Sequence, residues 1–472
     1  MQNTDEIWRH VEAKQDDYIA LSDRVWGMPE LNFQEHRSAA EHKAMLEKEG
    51  FRITENVSDI PTAFVGEAGE GGPVVAILGE FDALPGLSQE AGAAEHRPLP
   101  GDGTGHGCGH NLLGSGALLA ATAVKDWMAQ NGIKGRVRYY GCPAEEGGAA
   151  KTFMVRDGVF DDVDVAISWH PSHMVGVNPA RSLAITLLDF SFAGRSAHAA
   201  GSPELGRSAL DAVELMNVGV NYVREHMPSG ARIHYATTDA GGIAPNVVQA
   251  HARVRYLVRA RELSQLTPLV ERVKKCAEGA ALMTETTVTH KVLSAMSNLL
   301  GNTPMEEAMH RNLERLGVPE ADAADRAYAE QIRATLSPEE IAAAESRLGR
   351  PGSGEVLASA ITPINGAPEG PMGSTDIGDV SWAVPTVYLR GATVAVGTVF
   401  HTWQVTAQGK SPFAHKGMVH AAKTMAATAR DVLSDPALLA AATSAHKARL
   451  QRTPFVSPLP PGMAPVLDIA AA

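Results

Sequence analysis

The stretch Gly105-His106-Gly107-Cys108-Gly109-His110-Asn111 places three potential metal ligands close together, with a glycine beside each of them. Glycine leaves the backbone free to curl around an ion, so a thiolate and an imidazole two residues apart can point to one position. Residues 112–121, which follow, are apolar or small and predict a buried helix. The stretch therefore predicts a metal site on a loop that leads into a helix. The alternative is a glycine-rich turn that contains these side chains by chance.

An apolar run precedes this loop and predicts a buried parallel strand. Residues 74–78 are all apolar and lie between Pro73 and Gly79. The run is followed by Glu80 and Asp82. Open α/β sheets place their sites at the carboxyl ends of such strands, so these carboxylates are candidates for a site.

Further predicted strands also end in residues that carry chemistry. Residues 135–141 precede the pair Glu145-Glu146, residues 163–171 contain His170 near their end, and a strand over 394–400 ends at His401. A vicinal glutamate pair usually lies on a solvent-exposed face, and a histidine at a strand end is usually a polar residue with ordinary hydrogen-bond partners. Their joint occurrence at successive strand ends favours one shared site.

The side chains at these positions suit a pair of divalent cations. Five of them are candidate ligands: Cys108, His110, Glu146, His170 and His401. One thiolate, three imidazoles and one carboxylate suit zinc or manganese, and five ligands are too many for one catalytic zinc. Glu145 is then free to carry a proton for a metal-activated water, and Asp82 can orient a ligand histidine.

A second folding unit is predicted between residues 183 and 296. Strand-like segments near 183–192, 232–237, 247–259 and 284–292 alternate with helical segments near 205–225 and 263–283. This β-α-β-β-α-β order is the ferredoxin-like pattern. We therefore expect an α/β protein with a mostly parallel central sheet over 1–182 and 297–472, interrupted by a ferredoxin-like domain over 183–296.

Two later stretches are predicted to lie outside the site. Residues 319–370 are rich in alanine and charge, with Ser337-Pro338-Glu339-Glu340 opening a helix, and we interpret them as an excursion over the surface. After a final helix near 416–433, the proline-rich tail is predicted to be disordered.

Composition excludes several classes of function. With 472 residues and a formal net charge of −13, the chain is long enough for more than one core and repels nucleic acid and anionic membranes. The three cysteines, Cys108, Cys142 and Cys276, do not form a disulfide framework. The amino terminus lacks the basic start and apolar run of a signal peptide, so we expect a cytoplasmic protein.

Four motifs resemble a known family. They are Glu80-Phe81-Asp82-Ala83-Leu84-Pro85, Gly107-Cys108-Gly109-His110, Glu145-Glu146-Gly147-Gly148 and Ala197-His198-Ala199-Ala200. They are similar to the signatures of the aminoacylase and carboxypeptidase superfamily of co-catalytic metallohydrolases, and the cysteine points to its branch of N-acyl-amino-acid amidohydrolases. Asn111 and Thr375-Asp376 depart from the wider family, which usually has aspartate and Glu-Asp there.

The resemblance implies roles for individual residues. It implies a metallopeptidase-like catalytic domain, two divalent ions (zinc or manganese) on the five ligands, Glu145 as base and a lid domain that also dimerises. It makes His198 a donor to the tetrahedral oxyanion of the neighbouring subunit. Further candidates for binding the substrate carboxylate are Asn246 and Arg259 and, more weakly, Lys151 and Arg207, which could equally be solvated surface charges.

The expected activity is metal-dependent hydrolysis of the amide of an N-acyl or N-aroyl amino acid, with p-aminobenzoyl-glutamate as the substrate that the resemblance favours. The alternatives are a dipeptidase, a hydrolase of the indoleacetyl-amino-acid type, or a non-catalytic partner of a paralogous hydrolase. The complete ligand set and Glu145 argue against the last. We expect a homodimer, or a heteromer with a related subunit.

Overall fold

The computed structural model describes residues 5–101, 103–178, 180–364 and 373–469. The strands are β1 (Arg52–Glu55), β2 (Phe64–Glu70), β3 (Val74–Glu80), β4 (Gly135–Cys142), β5 (Val165–Ser172), β6 (Gly176–Val177), β7 (Ala184–Ala193), β8 (Arg232–Asp239), β9 (His251–Ala260), β10 (Thr287–Met296) and β11 (Thr386–Ala392). The helices are α1 (Glu6–Trp26), α2 (His36–Lys48), α3 (His110–Asn131), α4 (Ala150–Arg156), α5 (Ala209–Val223), α6 (Leu263–Thr284), α7 (Thr303–Leu316), α8 (Ala323–Arg333), α9 (Pro338–Arg347), α10 (Ile377–Ala383), α11 (Trp403–Gln408), α12 (Pro412–Ser434) and α13 (Pro436–Arg452).

The larger sheet has seven strands in the order β1-β2-β4-β3-β5-β11-β6. Its four inner strands β4, β3, β5 and β11 are parallel, and the outer strands are antiparallel. The apolar run of β3 is buried along its whole length. Its side chains alternate between two cores, with Val75 and Ile77 in one and Val74 and Leu78 in the other. Helices thus cover both faces, and the predicted α/β class is confirmed.

The helix predicted after the Gly105–Asn111 stretch is confirmed as α3. It begins at His110, and its residues 110–124 are all buried. Small side chains allow close packing on the sheet, since a Cβ built at Gly114 would lie 2.6 Å from the carbonyl oxygen of Glu80. The loop with Cys108 is thereby held against the carboxyl end of β3.

The smaller sheet has four antiparallel strands in the order β10-β7-β9-β8. Helices α5 and α6 pack against it, which gives the β-α-β-β-α-β order predicted from the sequence. Most of its apolar residues form a cluster of their own, while Leu293 and Ala295 of β10 pack into a core of the larger sheet. The division of the chain into domains at 1–182, 183–296 and 297–472 stays a prediction.

The strand predicted over 394–400 is wrong. The strand is β11, which ends at Ala392, and residues 393–402 form a loop instead. Residues 394–398 are still buried, but their backbone is bound by residues outside the sheet: Val396 donates to the carbonyl of Val356, and Ala395 donates to Oε1 of Gln408 in α11. His401 lies in this loop with a φ of 65°, so burial of the run did not require a strand.

The interpretation of residues 319–370 as a surface excursion also needs correction. Helix α9 does begin after Ser337, which caps it as the sequence predicts, and the structure adds a capping box between Ser337 and Glu340. However, Ala329 and Ile332 of α8 are buried in the main core, and Arg333 donates to the carbonyl of Val396 in the 393–402 loop. The described part of this stretch, up to residue 364, therefore supports the loop that carries His401; the rest lies outside the described residues.

The described part of the carboxyl-terminal tail, up to residue 469, packs against the protein where the sequence predicted disorder. Helix α13 starts at Pro436 behind the cap of Asp435, and beyond it Leu459, Val466 and Ile469 are buried in the second core. The apolar side chains of this proline-containing segment pack against the core, and composition alone does not reveal such a contact.

None of the helices in the described ranges combines the length and the apolar composition that a membrane span requires.

Candidate active site

Six of the predicted site residues line one cavity of about 290 Å³ at the carboxyl ends of the parallel strands. Its lining includes Cys108, Glu145, Glu146, His170, Arg259 and His401. His110, the fifth predicted ligand, is fully buried, with its ring 5.7 Å from that of His170. The structure thus brings together the five candidate ligands that the sequence identifies.

The candidate ligands fall into two groups that share one atom. In the first group, ligand atoms of Cys108, His110 and His170 lie within 4.8 Å of one another. In the second, the same holds for Cys108, Glu146 and His401, with Nε2 of His401 3.2 Å from Oε2 of Glu146. These residues could hold two cations, with Cys108 belonging to both groups.

Asp82 orients both groups at once. Its Oδ1 accepts a hydrogen bond from Nδ1 of His110 at 2.8 Å, and its Oδ2 accepts one from the backbone N–H of Glu146 at 2.9 Å. His170 likewise donates Nδ1–H to the carbonyl of Pro171 at 2.7 Å, which leaves Nε2 directed toward Cys108. Hydrogen bonds of this kind fix the tautomer of a metal-ligating histidine.

Unpartnered buried atoms support the fit to metal ions. Nε2 of His110 and Oε1 of Glu146 are buried and have no hydrogen-bond partner among the described residues. Such atoms are costly in a folded protein unless something binds them. Burial, with the nearby charge of Glu146, raises the pKa of the Cys108 thiol well above its usual range, so a bound cation would replace its proton.

Glu145 has the electrostatic surroundings of a proton carrier. Burial raises its pKa well above the usual range of a carboxyl, and the charges of Glu80 and Glu146 raise it further. A carboxyl tuned upward in this way can accept a proton and return it near neutral pH.

A buried ionic cluster lies next to the ligand groups, and sequence reasoning missed its extent. Nζ of Lys151 lies 2.8 Å from Oε1 of Glu80 and 2.6 Å from Oδ1 of Asp376, and all three side chains are fully buried. Oε2 of Glu80 is 3.5 Å from Nε2 of His110. Lys151 is therefore neither a solvated charge nor part of the cavity lining. The available signal for Glu80 was its place at the end of β3.

The candidate residues in the predicted lid, residues 183–296, do not all reach this cavity. Arg259 on β9 lines it and donates to Oγ of Ser374 at 3.3 Å, whereas His198, Asn246 and Arg207 are outside its lining. Arg207 forms an ion pair with Glu285 at 2.9 Å on the lid surface.

His198 is exposed and has a defined tautomer. Its Nδ1 accepts hydrogen bonds from the backbone N–H groups of Ala200 and Gly201 at 3.2 and 3.0 Å. A neutral ring bound in this way carries its proton on Nε2. His198 thus presents an N–H donor at the surface of the protein.

Two arginines in the cavity lining were not predicted. Arg181 is exposed, and Arg390 on β11 donates from Nε to Oδ1 of Asn178 at 3.0 Å, with its guanidinium 5.4 Å from the ring centre of Tyr388. Sequence patterns did not identify them, because neither lies in a motif with defined spacing.

Comparison with known proteins agrees with this geometry. Residues 76–462 match the model of peptidase family M20/M25/M40. One subunit of the p-aminobenzoyl-glutamate hydrolase of Escherichia coli (strain K12) is 46% identical over 98% of this chain and 99% of that protein. The Xaa-Arg dipeptidase of Mus musculus is 30% identical over 92% of this chain and 89% of that protein.

A solved structure shares the fold at low sequence identity. A dinuclear metal binding peptidase of the M20 family from Bacillus subtilis matches with a TM-score of 0.54 and 19% identity, over 87% of this chain and 98% of that one. Since the family model covers most of the sequence and one relative is similar along nearly its whole length, the chain belongs to peptidase family M20/M25/M40.

Proposed function

We propose that this metal-dependent amidohydrolase cleaves the amide bond of N-aroyl amino acids, with p-aminobenzoyl-glutamate as the preferred substrate. The observation that carries the proposal is the pair of ligand groups that share Cys108, with the buried Glu145 beside them. The substrate follows from the 46% identity to a relative that is named for this hydrolysis.

The side chains have the following roles in this proposal. Cys108, His110, Glu146, His170 and His401 hold two cations, zinc or manganese, which when bound polarise the scissile carbonyl and activate water. Glu145 accepts a proton from the attacking water and passes it to the leaving amine. Asp82 holds His110 in its ligating tautomer.

The lid supplies the remaining groups. Arg259 binds the α-carboxylate of the amino acid, because a guanidinium can fork onto a carboxylate. Asn246 and His198 come from a second subunit, where Nε2–H of His198 donates to the oxyanion. Their exposed positions outside the cavity of their own chain favour this assignment.

A homodimer through the lid is the assembly that we propose. Helix α5 exposes an apolar stripe of Leu215, Val218 and Tyr222, the last 75% exposed, and β8 lies at the edge of the four-stranded sheet. An apolar stripe beside a strand edge is a surface that a second copy can cover. The Escherichia coli relative is named as one subunit of its hydrolase, which keeps a related second subunit as the alternative partner.

A cytoplasmic location is proposed as well. The three cysteines are free, and the thiol of Cys108 must stay reduced to act as a ligand.

The test is a hydrolysis screen with the purified chain, metal-free and reconstituted with manganese or zinc. We expect release of p-aminobenzoate from p-aminobenzoyl-glutamate by the metal-loaded protein and its loss after chelation. Indoleacetyl-aspartate and a dipeptide that ends in arginine are the comparison substrates.

A preference for the arginine dipeptide would overturn the substrate assignment. We do not expect this preference, because the positive side chain of the dipeptide would face a cavity that already contains three arginines. No hydrolysis without an added related subunit would favour the non-catalytic alternative.

A further inference from the structure

The cavity contains more positive side chains than one carboxylate needs. Arg181, Arg259 and Arg390 all line it, and none of them forms an ion pair with a residue that the structure describes; the side-chain partners of Arg259 and Arg390 are Ser374 and Asn178. The acidic side chains of the lining, Glu145 and Glu146, are engaged with the cations and the proton under the proposed function. The guanidinium groups are therefore available to an anionic ligand.

Arg259 and Arg390 are held in place by neutral groups. Arg259 donates from Nη1 to Ser374 at 3.3 Å, and burial lowers its pKa, which shows that it has lost water without gaining an anion. Arg390 donates a hydrogen bond from Nε to Oδ1 of Asn178 at 3.0 Å. Its two terminal nitrogens have no hydrogen-bond partner among the described residues, so they can bind a carboxylate with two parallel hydrogen bonds.

The two arginines come from different sheets. Arg259 belongs to β9 of the smaller sheet, whereas Arg390 lies on β11 directly beside His170 of β5 in the larger one. A ligand with one carboxylate can satisfy one of them. A ligand with two carboxylates on a short flexible chain can bridge both.

The geometry points to Arg390 as the specificity-determining residue for the side-chain carboxylate of an acidic amino acid, while Arg259 takes the α-carboxylate. This inference rests on the proposed function and deepens it, because it makes the substrates N-acyl derivatives of dicarboxylic amino acids. Arg181 is exposed at the same cavity, and it attracts the doubly negative substrate over a distance without a direct hydrogen bond to it.

The test compares two substrates that differ in a single charge. p-Aminobenzoyl-glutamate and p-aminobenzoyl-glutamine have the same shape, but the second lacks the side-chain carboxylate. For Arg390→Gln in the metal-loaded enzyme, we expect kcat/KM for the glutamate substrate to fall by about 10- to 100-fold, the usual worth of a charge-assisted pair, mainly through KM. Activity on the glutamine substrate should change by less than about threefold.

Three variants sharpen the comparison. Arg390→Lys keeps the charge but not the fork, so it should retain part of the preference for glutamate. Arg181→Gln should lower association with both anionic substrates only slightly at physiological salt. Arg452→Gln, at an exposed position that ends α13, is the matched control and should leave both rates unchanged. Equal losses on both substrates in Arg390→Gln, no loss at all, or a selective loss in Arg181→Gln instead would overturn the assignment.

A binding measurement separates this inference from the proposed hydrolysis. Titration of metal-loaded protein with glutarate and with butyrate compares a dicarboxylate with a monocarboxylate of similar size. Arg390→Gln should weaken glutarate by about 10- to 100-fold and butyrate hardly at all. If the wild-type chain hydrolyses neither aroyl substrate, the proposed function fails, yet the arginine assignment still stands or falls on this titration. Equal affinity of glutarate for wild type and variant would refute it.

Discussion

Neighbouring glutamates have different surroundings in the candidate site, and this separates their roles. Glu146 lies within ligand distance of Cys108 and His401, whereas Glu145 lies near Glu80 and His110, and burial together with the charges of Glu80 and Glu146 raises its pKa. We predict that Glu145→Gln keeps its metal but loses about 10² to 10⁴ in turnover, the usual contribution of general acid–base catalysis. Glu146→Gln should instead lower metal content. Elemental analysis beside kcat checks both, and a metal-free Glu145→Gln with a fully loaded Glu146→Gln would exchange the two roles.

The buried cation of Lys151 gives a second prediction for a single residue. Lys151→Met leaves the carboxylates of Glu80 and Asp376 buried without their cation, which should cost about 3–5 kcal/mol in free energy of unfolding. Lys48→Met is the control, since its ion pair with Asp17 is more than half exposed and should contribute at most about 1 kcal/mol. Denaturant-induced unfolding measures both. Similar losses in the two variants would show that Lys151 does not neutralise the cluster.

At the scale of elements, the contact of α12 with β11 positions the loop that follows. A Cβ built at Gly417 of α12 would lie 2.0 Å from the carbonyl oxygen of Ala392, the last residue of β11. Gly417→Ala must move the helix away and should cost at least about 1–3 kcal/mol, the typical effect of overpacking. Because residues 393–402 continue from this point to His401, metal content should fall as well.

The control for this prediction is another helical glycine. At Gly279 of α6, an added Cβ has no neighbouring atom within 4 Å. Alanine is the better helix former, so Gly279→Ala should be neutral or stabilising by up to about 1 kcal/mol. Thermal unfolding of the two variants compares the same substitution with and without a close backbone contact. A stable, fully loaded Gly417→Ala would show that the packing of α12 does not control the loop.

At the scale of the whole molecule, the proposed dimer makes the active site a property of two subunits. If His198 acts in the neighbouring site, two inactive variants, His198→Ala and Glu145→Gln, should rescue each other when co-expressed. One site of each mixed dimer then combines intact Glu145 with intact His198. Random pairing makes about half of the dimers mixed and half of their sites intact, so about a quarter of wild-type activity should return.

The measurement needs dimers that are shown to be mixed. Two different affinity tags allow their isolation, and co-expression avoids reliance on subunit exchange. Each variant expressed alone is the control and should be inactive. A histidine that acts within its own subunit predicts no recovery in the mixed dimers, because every site would keep one lesion.

The sequence by itself determined the class of fold and identified the five candidate ligands and Glu145 as neighbours in space. Apolar runs such as residues 74–78 specify buried strands through their periodicity, and parallel strands bring their carboxyl ends to one edge. This topology alone placed Cys108, His170 and the Glu145-Glu146 pair together. The order of elements between residues 184 and 296 was equally readable, because each element carries its own local period.

Only the tertiary structure decided how these residues are partnered. It placed Cys108 in both ligand groups, buried Lys151 between Glu80 and Asp376, brought Arg181 and Arg390 into the lining, and made residues 393–402 a supported loop rather than a strand. The physical reason is separation along the chain. Lys151 and Asp376 are 225 residues apart, and a local pattern of hydrophobicity carries no information about which distant charge will enter the same desolvated space.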